Sequence, residues 1–314
     1  MGTPEFARRP LAQLCDSYHE VLAVVTGPDK VAGRGHKLIQ TPVRQEAERR
    51  GLPVLMPASL KSEALYEALN RLEADLFVVI AFRILPEKLF ILPKRGAINI
   101  HASLLPHYRG AAPINWALIN GDTETGLTSF FLKREVDTGD TIAQEKLPIS
   151  PDDSYDSLAG KLSELAGPFL IRTLDLIEQG DRKPVPQDNR QVSQAPKLTP
   201  ENTMIDFGFP APLVRNFVRG LSSKPAAYTS FRGAKIKVLA CEVAEGIGEQ
   251  GLRPGSIIPD KKRLLVQCRD SIVQLTRIVP SGKSEMDGLA FLNGIRPEPH
   301  ELLGAIASGV KEKS

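Results

Sequence analysis

Residues 96–110, GAINIHASLLPHYRG, hold the densest chemistry of the chain. Asn99 and His101 are two residues apart, so a β-strand there turns an amide and an imidazole to one face before running into a loop punctuated by Pro106 and Gly110. In open α/β sheets ligands settle outside the carboxyl ends of the strands. A hydrogen-bond donor beside a proton-carrying ring at that edge is what acyl transfer needs: one stabilises an oxyanion, the other moves a proton. A structural reading also stands, in which both side chains are satisfied polar groups at a strand end.

Downstream, Glu135-Val136-Asp137-Thr138-Gly139-Asp140 places three carboxylates in a turn between two predicted strands. A carboxylate folding back onto His101 would fix its tautomer, although Asp-Thr-Gly-Asp is also ordinary turn chemistry. Near the N-terminus, Gly33-Arg34-Gly35-His36-Lys37 lacks the spacing of a phosphate loop or a dinucleotide fingerprint. It reads as an anion-gripping loop or as a plain surface connection.

The elements that must position these groups alternate. Strands are predicted at 21–26, 54–56, 76–80 and 97–101, with helices near 42–50 and 62–72 between them, which implies a doubly wound, mostly parallel sheet. A helix beginning near Pro113, strands near 127–132 and 141–147, and a long helix from about Ser154 to Gln179 complete residues 1–180 as a Rossmann-like domain. Residues 181–203, rich in Pro, Gln, Asn and Lys without an apolar period, read as a linker. Five short strands with regular turns between 227 and 279 predict that residues 204–314 form a small antiparallel barrel of the oligonucleotide-binding kind.

Of the 314 residues 42% are hydrophobic and 25% charged, an ordinary globular balance. Cys15, Cys241 and Cys268 lack metal-ligand spacing and cannot all pair, so neither a disulfide nor a metal is expected. The absence of a signal pattern and of a spanning apolar run predicts a cytoplasmic protein with no membrane partner, and nothing suggests more than a monomer. Net charge is −2 over residues 1–205 and +5 over 206–314, which leaves a polyanion partner or a merely solvated surface open.

Taken together, Met1-Gly2-Thr3-Pro4-Glu5-Phe6-Ala7, Gly33-Arg34-Gly35, Asn99-Ile100-His101-Ala102-Ser103-Leu104-Leu105-Pro106, Tyr108-Arg109-Gly110-Ala111-Ala112-Pro113-Ile114 and Asp137-Thr138-Gly139-Asp140 resemble the methionyl-tRNA formyltransferase branch of the 10-formyltetrahydrofolate-dependent formyltransferases over nearly the whole chain. That resemblance implies formyl transfer from 10-formyltetrahydrofolate, as co-substrate, to the α-amino group of initiator methionyl-tRNA. It implies Asn99, His101 and Asp137 as the catalytic set, and Ser103, Leu104, Leu105 and Pro106 as part of the folate pocket, with residues 79–85 supplying another wall. Arg34 and Lys37, with the basic C-terminal barrel, would hold the tRNA. Arg109 would serve the folate tail or the fold. Alternative acceptors are a small amine, on an amino-sugar nucleotide or glycinamide ribonucleotide, or water in a formyltetrahydrofolate hydrolase. Relatives place an apolar strand ahead of the Gly-Thr-Pro-Glu-Phe-Ala turn, so a missing first strand, a trench in its place and a native start upstream of Met1 are expected.

Overall fold

A computed structural model describes residues 1–32, 37–180, 183–247 and 251–304. The chain folds as two compact units, one of Met1–Pro113, Glu124–Pro148 and Leu158–Pro196, the other of Ile114–Thr123, Ile149–Ser157 and Lys197–Ser314. The boundary at 196/197 falls inside the segment read as a linker from its composition, and residues 183–196 are packed within the first unit.

The first unit opens with α1 (Glu5–Cys15), a helix not among the predicted elements, followed by β1 (Val24–Val25). A hairpin of β2 (Lys30–Ala32) and β3 (Lys37–Ile39) flanks the glycine-basic loop. Then α2 (Pro42–Arg49) starts where Thr41 accepts a bond from the Arg44 N–H and Pro42 takes the first helical position. β4 (Val54–Leu55) pairs parallel with β1. After α3 (Glu63–Arg71), β5 (Phe77–Val79) and α4 (Glu87–Phe90), the chain enters β6 (Ala97–His101) and the short β7 (Arg109–Gly110). Most of α5 (Pro113–Asn120) belongs to the second unit.

β8 (Glu124–Phe131) and β9 (Thr141–Pro148) form an antiparallel hairpin across the Asp137 turn. The sheet runs β5-β6-β8-β9, parallel between β5 and β6 and antiparallel beyond. Helix α6 (Tyr155–Gln179) buries Leu158, Leu162, Ala166, Phe169, Leu170, Thr173 and Leu174, a stripe of helical period. The unit closes on β10 (Gln194–Ala195), which pairs parallel with β7.

Between β1 and β5, where a doubly wound sheet carries a further strand, only Met1 and Gly2 stand. The Gly2 N–H donates to the Val25 carbonyl (3.0 Å), the Ile80 N–H donates to the Met1 carbonyl (2.9 Å), and the Met1 amino group donates to the Val78 carbonyl (2.7 Å). Beside them lies a cavity of about 400 Å³ whose walls include Leu11, Leu14, Leu72, Leu76, Leu170 and Leu174. β1-β4 is a separate two-stranded sheet.

In the second unit, α7 (Ala211–Leu221) packs Val214, Val218 and Leu221 into one core with Val238, Leu275 and Phe291. Its sheet runs β11 (Ala227–Phe231), β12 (Ala234–Ile247), β15 (Ser271–Pro280), β14 (Leu265–Gln267), β13 (Ile257–Ile258), with β16 (Met286–Asp287) on β15 and α8 (Gly288–Ile295) after it. Bulges along β12 bend the sheet. Among the described residues its end strands β11 and β13 do not pair, so it is an antiparallel half-barrel. No helix among the described residues is long and apolar enough to cross a membrane.

Candidate active site

β6 is central in its sheet, which fixes the register of its side chains: Asn99 stands between Val79 of β5 and Phe130 of β8, and His101 beside Thr128. Ile98 and Ile100 point the other way into the core at 0% and 2% exposure, so the alternation that buries them presents Asn99 and His101 to the opposite face. His101 is itself buried. Its Nε2 lies 2.9 Å from the Tyr108 carbonyl, and since a carbonyl only accepts, Nε2 carries the hydrogen. Nδ1 faces Asp137, with Oδ2 3.9 Å away. The tautomer and the orientation of the ring are thereby set by the loop that follows β6.

Asn99 is the group a purely structural reading does not explain. Its Oδ1 is buried without a hydrogen-bond partner. A buried amide oxygen left unpaired costs about 1–3 kcal/mol, and such an atom on a central strand fits a site completed by a ligand that donates to it.

Asp137 comes from the turn between β8 and β9. It is buried and has φ +57°, a left-handed conformation that Asp adopts more readily than bulkier residues. Its Oδ2 accepts from the Gly110 N–H at 2.9 Å. Two residues on, a Cβ at Gly139 would stand 1.6 Å from the Phe131 carbonyl oxygen and 2.9 Å from the Phe130 ring, so only glycine lets the turn lie against β8. Gly139→Ala is expected to push the Asp137 turn off the sheet, lowering stability by about 1–3 kcal/mol and formyl transfer at least tenfold. A thermal melt and a kcat measurement check this together.

The Ser103–Pro106 turn is held by other residues. Ser103 Oγ donates to the His107 carbonyl (2.6 Å), Thr128 Oγ1 donates to the Ser103 carbonyl (2.6 Å) and accepts from the Leu105 N–H (3.0 Å), and Gln144 Nε2 donates to the Leu105 carbonyl (2.7 Å). Ser103 and Leu105 are buried, while Leu104 and Pro106 are half-buried. Of the four, the latter two have surface to offer a ligand. Arg83 donates to the Pro57 and Ala58 carbonyls at 2.8 and 3.1 Å, fastening the 79–85 segment to the loop after β4.

Arg109 serves the fold: its buried guanidinium donates from Nε and Nη2 to Gln187 Oε1 (3.0 and 2.7 Å) and from Nη2 to Asn189 Oδ1 (3.0 Å). Burial pulls its pKa below the ordinary value, against the nearby Asp137 charge. Of the two predicted tRNA contacts, Arg34 lies outside the described residues, and Lys37 opens β3 with its side chain likewise outside them.

An amide with an unpartnered oxygen, an imidazole and a carboxylate, gathered about the carboxyl half of β6, are groups of the kind an acyl-transfer enzyme uses. Comparison with known proteins makes that class definite: the chain belongs to the formyl transferase family. The "Formyl transferase" model matches residues 1–174 and the "Formyl transferase, C-terminal domain" model residues 197–296. The methionyl-tRNA formyltransferase of Bacteroides fragilis is 43% identical over 302 residues, 94% of this chain and 93% of its own. That of Geobacter sulfurreducens is 41% identical over 311 residues, 98% and 96% of the two chains. Among solved structures, the N-formyltransferase from Helicobacter canadensis, in complex with folinic acid and dTDP-3-aminofucose, shares the fold with TM-score 0.63 at 17% identity, over 87% of this chain and 97% of that one.

Proposed function

We propose that this chain transfers the formyl group of 10-formyltetrahydrofolate to the α-amino group of methionyl-tRNA, giving formylmethionyl-tRNA for translation initiation. The observation that carries the chemistry is the His101 ring held between the Tyr108 carbonyl and Asp137, with Asn99 on the same face of β6. The similarity to methionyl-tRNA formyltransferases over both units supports the acceptor.

In this reading the neutral amine attacks the formyl carbon and a C–N bond forms as negative charge develops on the formyl oxygen. The Asn99 amide donates to that oxygen. His101, whose Nε2–H is held by the Tyr108 carbonyl, donates to it from a protonated Nδ1. Each such donor is worth ~2.7–4 kcal/mol to the transition state. Asp137 orients that nitrogen and takes the proton the amine loses. It returns the proton to the departing folate nitrogen as the old C–N bond breaks, general acid–base work worth roughly 10²–10⁴-fold. The half-buried Leu104 and Pro106 give the pterin an apolar wall, with Ser103 and Leu105 holding the turn behind them.

Arg34 and Lys37, with the outward lysines Lys235 and Lys237 of β12, bind tRNA phosphates, so affinity should fall steeply with added salt. The working unit in this reading is a single cytoplasmic chain.

The deciding assay supplies 10-formyltetrahydrofolate with initiator methionyl-tRNA, an amino-sugar nucleotide, glycinamide ribonucleotide or buffer, and follows tetrahydrofolate release. Release dependent on the tRNA, with label in its ester, is the expected result. Release with a small amine, or in buffer alone, would replace this function with one of the other acceptors.

A further inference from the structure

The polar segment ahead of the second unit is a strap across the site. The Val185 N–H and carbonyl exchange hydrogen bonds with Thr141 (2.9 and 2.8 Å), fixing the strap beside the start of β9. Two residues on, Gln187 Nε2 donates to the backbone carbonyls of Asp137 (2.9 Å) and Gly139 (2.8 Å), while its Oε1 accepts twice from Arg109. Both amide hydrogens and both lone-pair positions are therefore engaged. A guanidinium only donates, so the amide cannot be turned over without losing all four bonds.

Further along, Ser193 Oγ accepts from the Tyr108 N–H (2.9 Å) and the Ser193 carbonyl from the Arg109 N–H (2.9 Å). Gly110, at φ +129°, lets the strap pass, since a Cβ there would stand 2.5 Å from the Ala195 carbonyl oxygen. The same short segment thus holds the backbone under Asp137 and the backbone whose N–H binds the Asp137 carboxylate. Tyr108, whose carbonyl fixes the His101 ring, hangs from it too.

We propose that Gln187 is a positioning residue for formyl transfer, acting through Asp137: it holds the left-handed turn that keeps the carboxylate facing His101 and the attacking amine. This rests on the function proposed above for the same site. Arg109 is then the counterpart that keeps the Gln187 amide correctly turned, which gives a buried cation without a direct carboxylate partner its purpose.

Gln187→Leu removes all four bonds at similar volume. It is expected to lower kcat about 10²-fold, with KM for the formyl donor and Kd for tRNA within about twofold of wild type. Gln187→Glu keeps an acceptor for Arg109 but sets a carboxylate against two carbonyl oxygens, and should lose as much. In an Asp137→Asn background Gln187→Leu should change kcat less than about twofold, because residues acting through one another are not additive. A full loss in both backgrounds, or wild-type kcat in Gln187→Leu, overturns the proposal.

Amide hydrogen exchange separates this failure from that of the function. Gln187→Leu should raise exchange at residues 137–141 whatever the enzyme catalyses, and unchanged exchange there also overturns the proposal. Raised exchange in a chain whose wild type transfers no formyl group would instead overturn the function, and with it the catalytic meaning of the strap.

Discussion

His101→Ala lowers kcat for formylation of methionyl-tRNA by about 10³-fold or more, close to 4 kcal/mol of transition-state stabilisation, while the Kd for tRNA stays within about twofold. The loss is large because the ring does two things. In the proposed mechanism it donates toward the developing oxyanion from Nδ1, and it faces the Asp137 carboxylate, 3.9 Å away, as the group that carboxylate orients. The substitution also leaves the Tyr108 carbonyl without its ring N–H. His101→Gln, with an amide able to replace part of that contact, should recover melting temperature without recovering kcat. A His101→Ala enzyme within about tenfold of wild type would remove the imidazole from the mechanism.

Asp137→Asn separates charge from geometry. Asparagine accepts the left-handed φ of +57° and can still receive the Gly110 N–H, so the turn and the strap keep their places. What disappears is the proton acceptor. The rate should fall by roughly 10²–10⁴-fold with little change in melting temperature. The residual rate should climb with pH, because solvent must now take the proton from the amine. A flat pH dependence at near-normal rate would mean that the carboxylate only orients the ring.

The shared face of Asn99 and His101 was legible because β6 is a central strand with unbroken alternation: the Ile98 and Ile100 positions identify the core face, and Asn99 and His101 then have only one other way to point. Predicted strand bounds at 97–101 match the observed element, and the long helix ends at Gln179, just before Gly180. Asp137 was readable as a turn residue, yet its approach to His101 depends on the β8–β9 hairpin folding back beside β6, a pairing that no local pattern encodes.

The strap was hidden for a related reason. Gln187, Ser193 and Ala195 act through backbone carbonyls, N–H groups and a two-residue ladder, so their segment carries no apolar period and its composition reads as a tether. The helix α1 is not among the predicted elements because the Gly-Thr-Pro start suggests a turn, whereas the antiparallel sheet of the second unit was legible in short alternating runs between turn residues. Thr128 and Gln144, which pin the Ser103–Pro106 turn from neighbouring strands, give no sequence signal.

Backbone continuity across the first unit narrows to Met1 and Gly2 between β1 and β5. Asn99, His101 and Asp137 all ride on the other side, on a platform braced by the β6-β8-β9 pairs and tied at its rim by β7-β10.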